Sequence, residues 1–408
     1  MGKLPFFDLP QVTADLRAML EFAARDRERF DDVVVLGIGG SSLGPRALYQ
    51  ALPVAKGPRL HFPDNVDPEA FAALLQKLDL TRSKFLVITK SGGTVETLAQ
   101  LMIVLDRLER CTEIGKARVA QHLVAVTDPE KGLLRKLARE CGWQTFAVPS
   151  AVGGRFSVLT PVGLLPLAYA GVDVEQLLHG AASMIEPCTQ GRIPQNPAYL
   201  LGAWLSYQQQ RSGRPIHVLF SYREDLVGLC QWFQQLWAES LGKKQLTTGM
   251  HVGPTPLVVK GVTDQHSQLQ LFAEGPDDKA YLFLTGDFRQ DVPIPNLMPE
   301  HEELRALGGK TLGALLAAEC EGTFRSLLDA GRPLMRLHCQ PMSAATLGQL
   351  LYVFEVATAF AGGLYQVSAF DQPGVERGKE YARALMGQTV PGFGPLKELD
   401  NSATLTFS

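Results

Sequence analysis

The chain has 408 residues, enough for two cores, and its 46% hydrophobic and 20% charged residues exclude a disordered chain. A formal net charge of −3 with no long basic or acidic run argues against a nucleic-acid protein, whose footprint is a concentrated basic face. Any anion site must therefore be local.

Residues 10–29 read as a helix leading into "DDVVVLGIGG", where the run Val33–Leu36 suits a buried parallel strand. "RLHFPDN", "KFLVITK", "HLVAVTD" and "TFAVP" are further short strands. Helical patterns lie between them, clearest in "VETLAQLMIVLDRLER" (95–110), apolar at 95, 98, 102, 105 and 108. Pro187 to Pro197 reads as a joint. The pattern restarts near residue 215 with "PIHVLFSY", "TPLVVKG", "KAYLFLTG" and "LMRLHCQP", and a helical tail, about 343–386, closes the chain. Alternating strand and helix predicts α/β units with mostly parallel sheets and helices on both faces. The most apolar stretch, "VLTPVGLLPLAYAGV" (158–172), is too short to span a bilayer and holds Pro161 and Pro166. The six cysteines form no C-x-x-C, and "MGKLPFFDLP" lacks the apolar core of a signal peptide. A soluble cytoplasmic protein with reduced thiols and no membrane partner is expected.

Three glycine motifs nearly match known patterns. "GIGGSSLG" begins as dinucleotide folds do, but Ser42 holds the place of the third glycine; with Asp64 past the second strand, a dehydrogenase is an alternative. "GSSLG" (40–44) matches the G-x-S-x-G elbow of hydrolases without an oxyanion loop upstream. "GGKT" (308–311) ends like a Walker loop, but Leu304 occupies the first glycine position. Their shared physics is more informative. Glycines allow close backbone approach, and helix starts offer unpaired N–H groups with about half a positive charge. Ser41 and Ser42 end one strand, and Ser91 and Thr94 of "VITKSGGTVETL" end another. Both clusters fall at the carboxyl edge of one sheet, and hydroxyl-rich loops at helix starts suit a phosphate monoester. For Thr94 alone, a plain N-cap is the simpler reading.

These stretches resemble a known family. "VITKSGGTVETL" resembles the phosphate loop of the sugar isomerase (SIS) fold, and "VVVLGIGGSSLGP" the first loop of the glucose-6-phosphate isomerase family. "VGGRFSVLTPVGLLPLA", "QLWAESLGKKQ", "TDQHSQLQLFAEGP" and "FDQPGVERGKEYA" follow in the family's order, covering about 33–386. The resemblance implies two SIS-type subdomains (31–190 and 198–345), an N-terminal helical segment (1–30) and a C-terminal helical tail (346–408). It implies a homodimer with shared active sites, where His266 reaches into the neighbour's site. It also implies a glycolytic aldose–ketose isomerase acting on a sugar phosphate without metal or cofactor. By motif, Glu239 matches the base, His266 and Lys379 the ring-opening pair, and Arg155 the arginine beside the intermediate. Gln372 matches a substrate-contacting glutamine, and Gly40, Ser41, Thr89, Lys90, Ser91 and Thr94 fall on the substrate and phosphate loops. Thr89 stands where many members have Ser, and Gly93 where Thr is usual.

The chemistry suits these residue types. Moving a proton between C2 and C1 needs one carboxylate base, and apolar "QQLWAES" makes Glu239 a candidate buried one. A fixed guanidinium stabilises the charge developing on oxygen. Histidine both gives and takes protons near neutrality, as ring opening requires. The intact set argues against a non-enzymatic sugar-phosphate sensor; a broader isomerase that also accepts mannose 6-phosphate is an alternative.

Overall fold

The computed structural model describes residues 4–12, 15–54 and 57–392, in two compact units, Met1–Ala369 and Phe370–Ser408. In the first unit, β1 (Asp32–Leu36), β2 (Arg59–His61), β3 (Ser83–Ile88), β4 (Leu123–Thr127) and β5 (Gln144–Ala147) form one sheet in the order β2-β1-β3-β4-β5. Every pairing is parallel, with Val34 opposite Phe85 and Leu36 opposite Val87. β1, β3 and β4 are buried along their length, which is why they read as unbroken apolar runs.

A second sheet follows. β6 (Ile216–Ser221) leads to a short antiparallel pair, β7 (Lys243–Lys244) and β8 (His251–Val252). Then β9 (Thr255–Lys260), β10 (Lys279–Gly286) and β11 (Leu334–Cys339) join β6 in the parallel order β11-β10-β6-β9. Every strand expected from sequence is present.

Alternate residues serve different cores, as the two-residue period of a strand requires. Val33 and Val35 of the first sheet share one core with Leu219, Leu282 and Leu284 of the second. Val34, Leu36, Phe85 and Val87 face a separate cluster, and Val218, Phe220, Tyr281 and Phe283 a third. The shared core also holds the helix Ala344–Tyr365, which lies against Val174–Ser183 and Pro197–Gln210. Its 22 residues would suit a membrane span by length and composition, but 72% of its most apolar window is buried inside the unit, as in a core helix.

Three helical expectations change in detail. The stretch read as one helix over 10–29 is instead a single-turn segment Leu9–Gln11, a helix Leu16–Asp26 and a turn Arg27–Arg29. The helix Val95–Arg110 forms as expected, but its buried face runs through Thr97, Leu101, Val104 and Leu108, and Met102 is 71% exposed. The expected tail is two helices, Ala344–Tyr365 and Glu376–Leu385, separated at Gln366, whose φ is 56°. Residues 393–408 of the tail lie outside the described residues, as do 1–3 and 13–14 of the N-terminal segment.

Candidate active site

Both sheets reverse their strand order beside their first strand, between β1 and β3 and between β6 and β10. Open α/β sheets bind ligands outside the carboxyl ends of the strands at such points.

β1 runs into the turn Gly39–Ser41 and the helix Leu43–Ala51. This loop is packed against protein. A Cβ placed on Gly40 would lie 2.3 Å from the Gly154 carbonyl oxygen, so only glycine lets the loop meet the turn Gly154–Phe156. That turn presents Arg155, which is 6% exposed. Its guanidinium contacts Glu239 Oε1 at 2.9 Å, and it donates to Ser240 Oγ at 3.1 Å and to the Ala369 carbonyl at 3.0 Å. Such a fork holds its orientation because each of its three nitrogens has its own partner.

Glu239 stands near the end of the helix Val227–Leu241, whose Trp232, Phe233, Leu236 and Trp237 are buried. The Trp237 indole N–H donates to His217 Nδ1 at 3.0 Å, tying the helix to β6. The expected apolar burial of the carboxylate is not found. Glu239 is 26% exposed, with one oxygen on Arg155 and the other accepting from Gln235 Nε2 at 3.0 Å. The helix buries its tryptophans and turns Glu239 to a polar face, where Leu43, Arg46, Gln231 and Gln235 help line a depression of about 560 Å³. Gln235 escaped the sequence reading; its signal is the four-residue spacing that puts it on the face of Glu239.

β3 ends differently. Thr89 is buried, Ser91 exposed, and Thr94 begins the helix Val95–Arg110. Thr94 makes no side-chain cap to that helix. Its hydroxyl lies 2.7 Å from that of Thr89 and 3.4 Å from that of Ser91, and Thr89 and Ser91 are 3.3 Å apart. Three hydroxyls therefore cluster beside the unpaired N–H groups and positive end of a 16-residue helix. Burial pulls the neighbouring Lys90 ammonium below its ordinary value, against the pull of Asp128. A Cβ placed on Gly93 would meet no atom within 4 Å.

The motif alternatives meet different geometry. Ser42 is fully buried and 3.4 Å from Asp64, so it is no exposed nucleophile. Asp64 is engaged by Arg46 at 2.8 Å. Thr311 caps the helix Leu312–Asp329.

His266 lies on a short helix, Thr263–Ser267, just past β9 at the carboxyl edge of the second sheet. No hydrogen bond or ion pair joins it to Glu239 or Arg155 among the described residues. The second unit carries the other two candidates. Gln372 precedes the turn Pro373–Val375, and Lys379, on Glu376–Leu385, pairs with Glu376 at 2.8 Å. Among the described residues no group of three or more His, Cys, Asp or Glu side chains could hold a metal ion.

Comparison with known proteins agrees along most of the chain. The family model for phosphoglucose isomerase matches residues 17–288 and 314–402. A glucose-6-phosphate isomerase of Carboxydothermus hydrogenoformans is 45% identical over 401 residues, covering 95% of this chain and 86% of the relative. The crystal structure of a hypothetical protein from Thermus thermophilus superposes with a TM-score of 0.88 at 40% identity, covering 94% of this chain and 90% of its own. A glucose-6-phosphate isomerase of Chlamydia trachomatis does so at 0.80 and 26% identity, over 91% of this chain and 73% of its own. With these matches spanning both sheets and the loops described above, the chain belongs to the phosphoglucose isomerase family.

Proposed function

We propose that this chain interconverts glucose 6-phosphate and fructose 6-phosphate, with Glu239 as the base. One observation carries the assignment of the centre: a carboxylate on a rigid helix is paired at 2.9 Å with a guanidinium that is itself tied to Ser240 and to a backbone carbonyl. Family membership supplies the reaction class. The broader alternative with mannose 6-phosphate is not favoured, since the named relatives are glucose-6-phosphate isomerases.

In this reading the phosphate sits against Thr89, Ser91 and Thr94, with Lys90 and Ser41 nearby and Gly40 shaping the adjoining loop. His266 and Lys379 open the sugar ring by moving protons to the ring oxygen and from the O1 hydroxyl. Glu239 takes the C2 proton, giving a cis-enediol whose developing negative charge Arg155 stabilises. The same carboxyl returns the proton to C1, and Gln372 contacts the sugar. General base catalysis contributes ~10²–10⁴-fold, and charge stabilisation in a fixed site a comparable amount. The reading includes a cytoplasmic homodimer in which His266 serves the partner's site, and it calls for no metal or cofactor.

A coupled assay for fructose 6-phosphate tests it. Wild-type protein should turn over glucose 6-phosphate, and Glu239→Gln should lower kcat by ~10³-fold or more with a much smaller change in KM. Near-normal kcat in that variant would reject Glu239 as the base.

A further inference from the structure

The turn that carries His266 is fixed on either side of it. Asp264 accepts from the Lys260 backbone N–H at 2.7 Å and from the Ser267 hydroxyl at 2.7 Å. Gln265, immediately before the histidine, is held at both ends of its amide: Oε1 accepts from the Tyr222 hydroxyl at 2.5 Å, and Nε2 donates to Glu319 Oε2 at 3.0 Å. The orientation of that amide follows from its partners, since an ionised carboxylate only accepts and so must face the NH₂.

Tyr222 is a firm post. It is 2% exposed and stacks on Phe283 at 5.7 Å with the rings 9° apart. It also lies flat on the backbone of Gly261, where a Cβ would come 2.5 Å from the ring. Burial raises the pKa of its hydroxyl, so the group stays a donor. Tyr222 directly follows β6, Gln265 follows β9, and Glu319 belongs to the helix Leu312–Asp329. The chain of bonds thus ties three elements together at the edge of the second sheet. The His266 side chain itself is exposed. What these bonds hold is the backbone from which it projects.

We propose that Glu319, acting through Gln265, is a positioning residue for His266, and that the Tyr222–Gln265–Glu319 chain fixes the direction in which the imidazole is presented. This rests on the ring-opening role given to His266 above. A group that moves protons must come within hydrogen-bond reach of its target, and a misplacement of ~1 Å costs up to ~10²-fold.

The test uses glucose 6-phosphate in the coupled assay. Gln265→Glu sets two carboxylates against each other, and kcat should fall ~10-fold or more while KM stays within about twofold. Adding Glu319→Gln restores the pattern in reverse, with a carboxylate at 265 accepting from Tyr222 and from the new amide. That pair should recover to within about threefold of wild type. On a His266→Ala background, Gln265→Glu should lower the residual rate no further. Should Gln265→Glu not fold, Tyr222→Phe removes the donor alone and should lower kcat severalfold at unchanged KM, an effect also lost without His266. Wild-type kcat in Gln265→Glu or Tyr222→Phe, no recovery in the folded pair, or the same loss with and without His266 would overturn the proposal. If His266→Ala is itself fully active, the ring-opening role falls and this proposal with it. If His266→Ala is impaired while Gln265→Glu is normal, only the positioning role falls.

Discussion

Two loops leave the same edge of the first sheet and pack differently along their length. The Gly39–Ser41 turn after β1 is pressed onto protein, its Gly40 backbone against Gly154 and thereby against Arg155 and Glu239. The Thr89–Thr94 segment after β3 also meets protein at Gly92, whose backbone lies against Gly132 and accepts from the Leu134 N–H, but its far side leaves Ser91 exposed and an open space at Gly93. Both look alike in sequence, glycine beside hydroxyl at a helix start. The difference teaches that a glycine-rich loop can serve the approach of two protein backbones as well as the approach of a ligand. Changes in the packed corner should disturb stability and kcat together, and changes at the open face of the second loop, at Ser91 and Gly93, should disturb KM with little effect on stability.

The sharpest contrast is between two alanines. Gly40→Ala must push the loop off Gly154, costing ~1–3 kcal/mol of stability by overpacking and lowering kcat as Arg155 shifts. Gly93→Ala meets nothing within 4 Å and should change stability by less than ~0.5 kcal/mol. Chemical denaturation of both variants checks this; equal losses would erase the distinction between the loops.

Thr94→Val separates binding from capping. Because the Thr94 hydroxyl turns to the buried Thr89 and does not cap its helix, the variant should lose only the ~1 kcal/mol of that one hydrogen bond in stability. Its KM for sugar phosphates should rise by the ~1.5–3 kcal/mol of a hydrogen bond to a charged group. Unchanged KM would leave the Thr94 hydroxyl a structural partner of Thr89 and no phosphate ligand.

A smaller effect probes how the packed corner is anchored. Burial pushes His217 down to about 3, so it accepts from Trp237 as a neutral ring. The unfolded chain binds a proton there below ~6.5 and the folded protein does not until far lower pH, so this stability is complete above ~6.5 and is lost as pH falls, at up to ~1.4 kcal/mol per pH unit. His217→Gln removes that slope. The Tm gap between wild type and variant should therefore narrow from pH 7 to pH 5, and parallel curves would contradict the assignment.

Much of this architecture was legible in the sequence, because doubly covered parallel strands must be continuous apolar runs. Elements governed by distant contacts were not. Gln366 ends a helix in a left-handed conformation with no glycine to announce it, since its backbone carbonyl accepts from Leu246 and its side chain from Thr247. The β7–β8 pair is two residues per strand, too short for any period to show. On Val95–Arg110 the apolar positions permitted two overlapping stripes, and packing chose the one that buries Thr97 and Leu101 over Met102. The hydroxyl loop was visible as a composition, while the direction of the Thr94 hydroxyl needed coordinates. Apolar letters around Glu239 suggested burial, yet Gln231, Gln235 and Arg155 surround its carboxylate with polar groups.

Proton exchange at C2 tests the central claim most directly. Glucose 6-phosphate incubated in deuterium oxide and followed by NMR should gain deuterium at C2 with wild-type protein, because the carboxyl that takes the proton can trade it with solvent before returning it. In Glu239→Gln, at saturating substrate, that exchange should fall by ~10³-fold or more. Exchange at the wild-type rate in this variant would contradict the account, since another group would then be removing the proton.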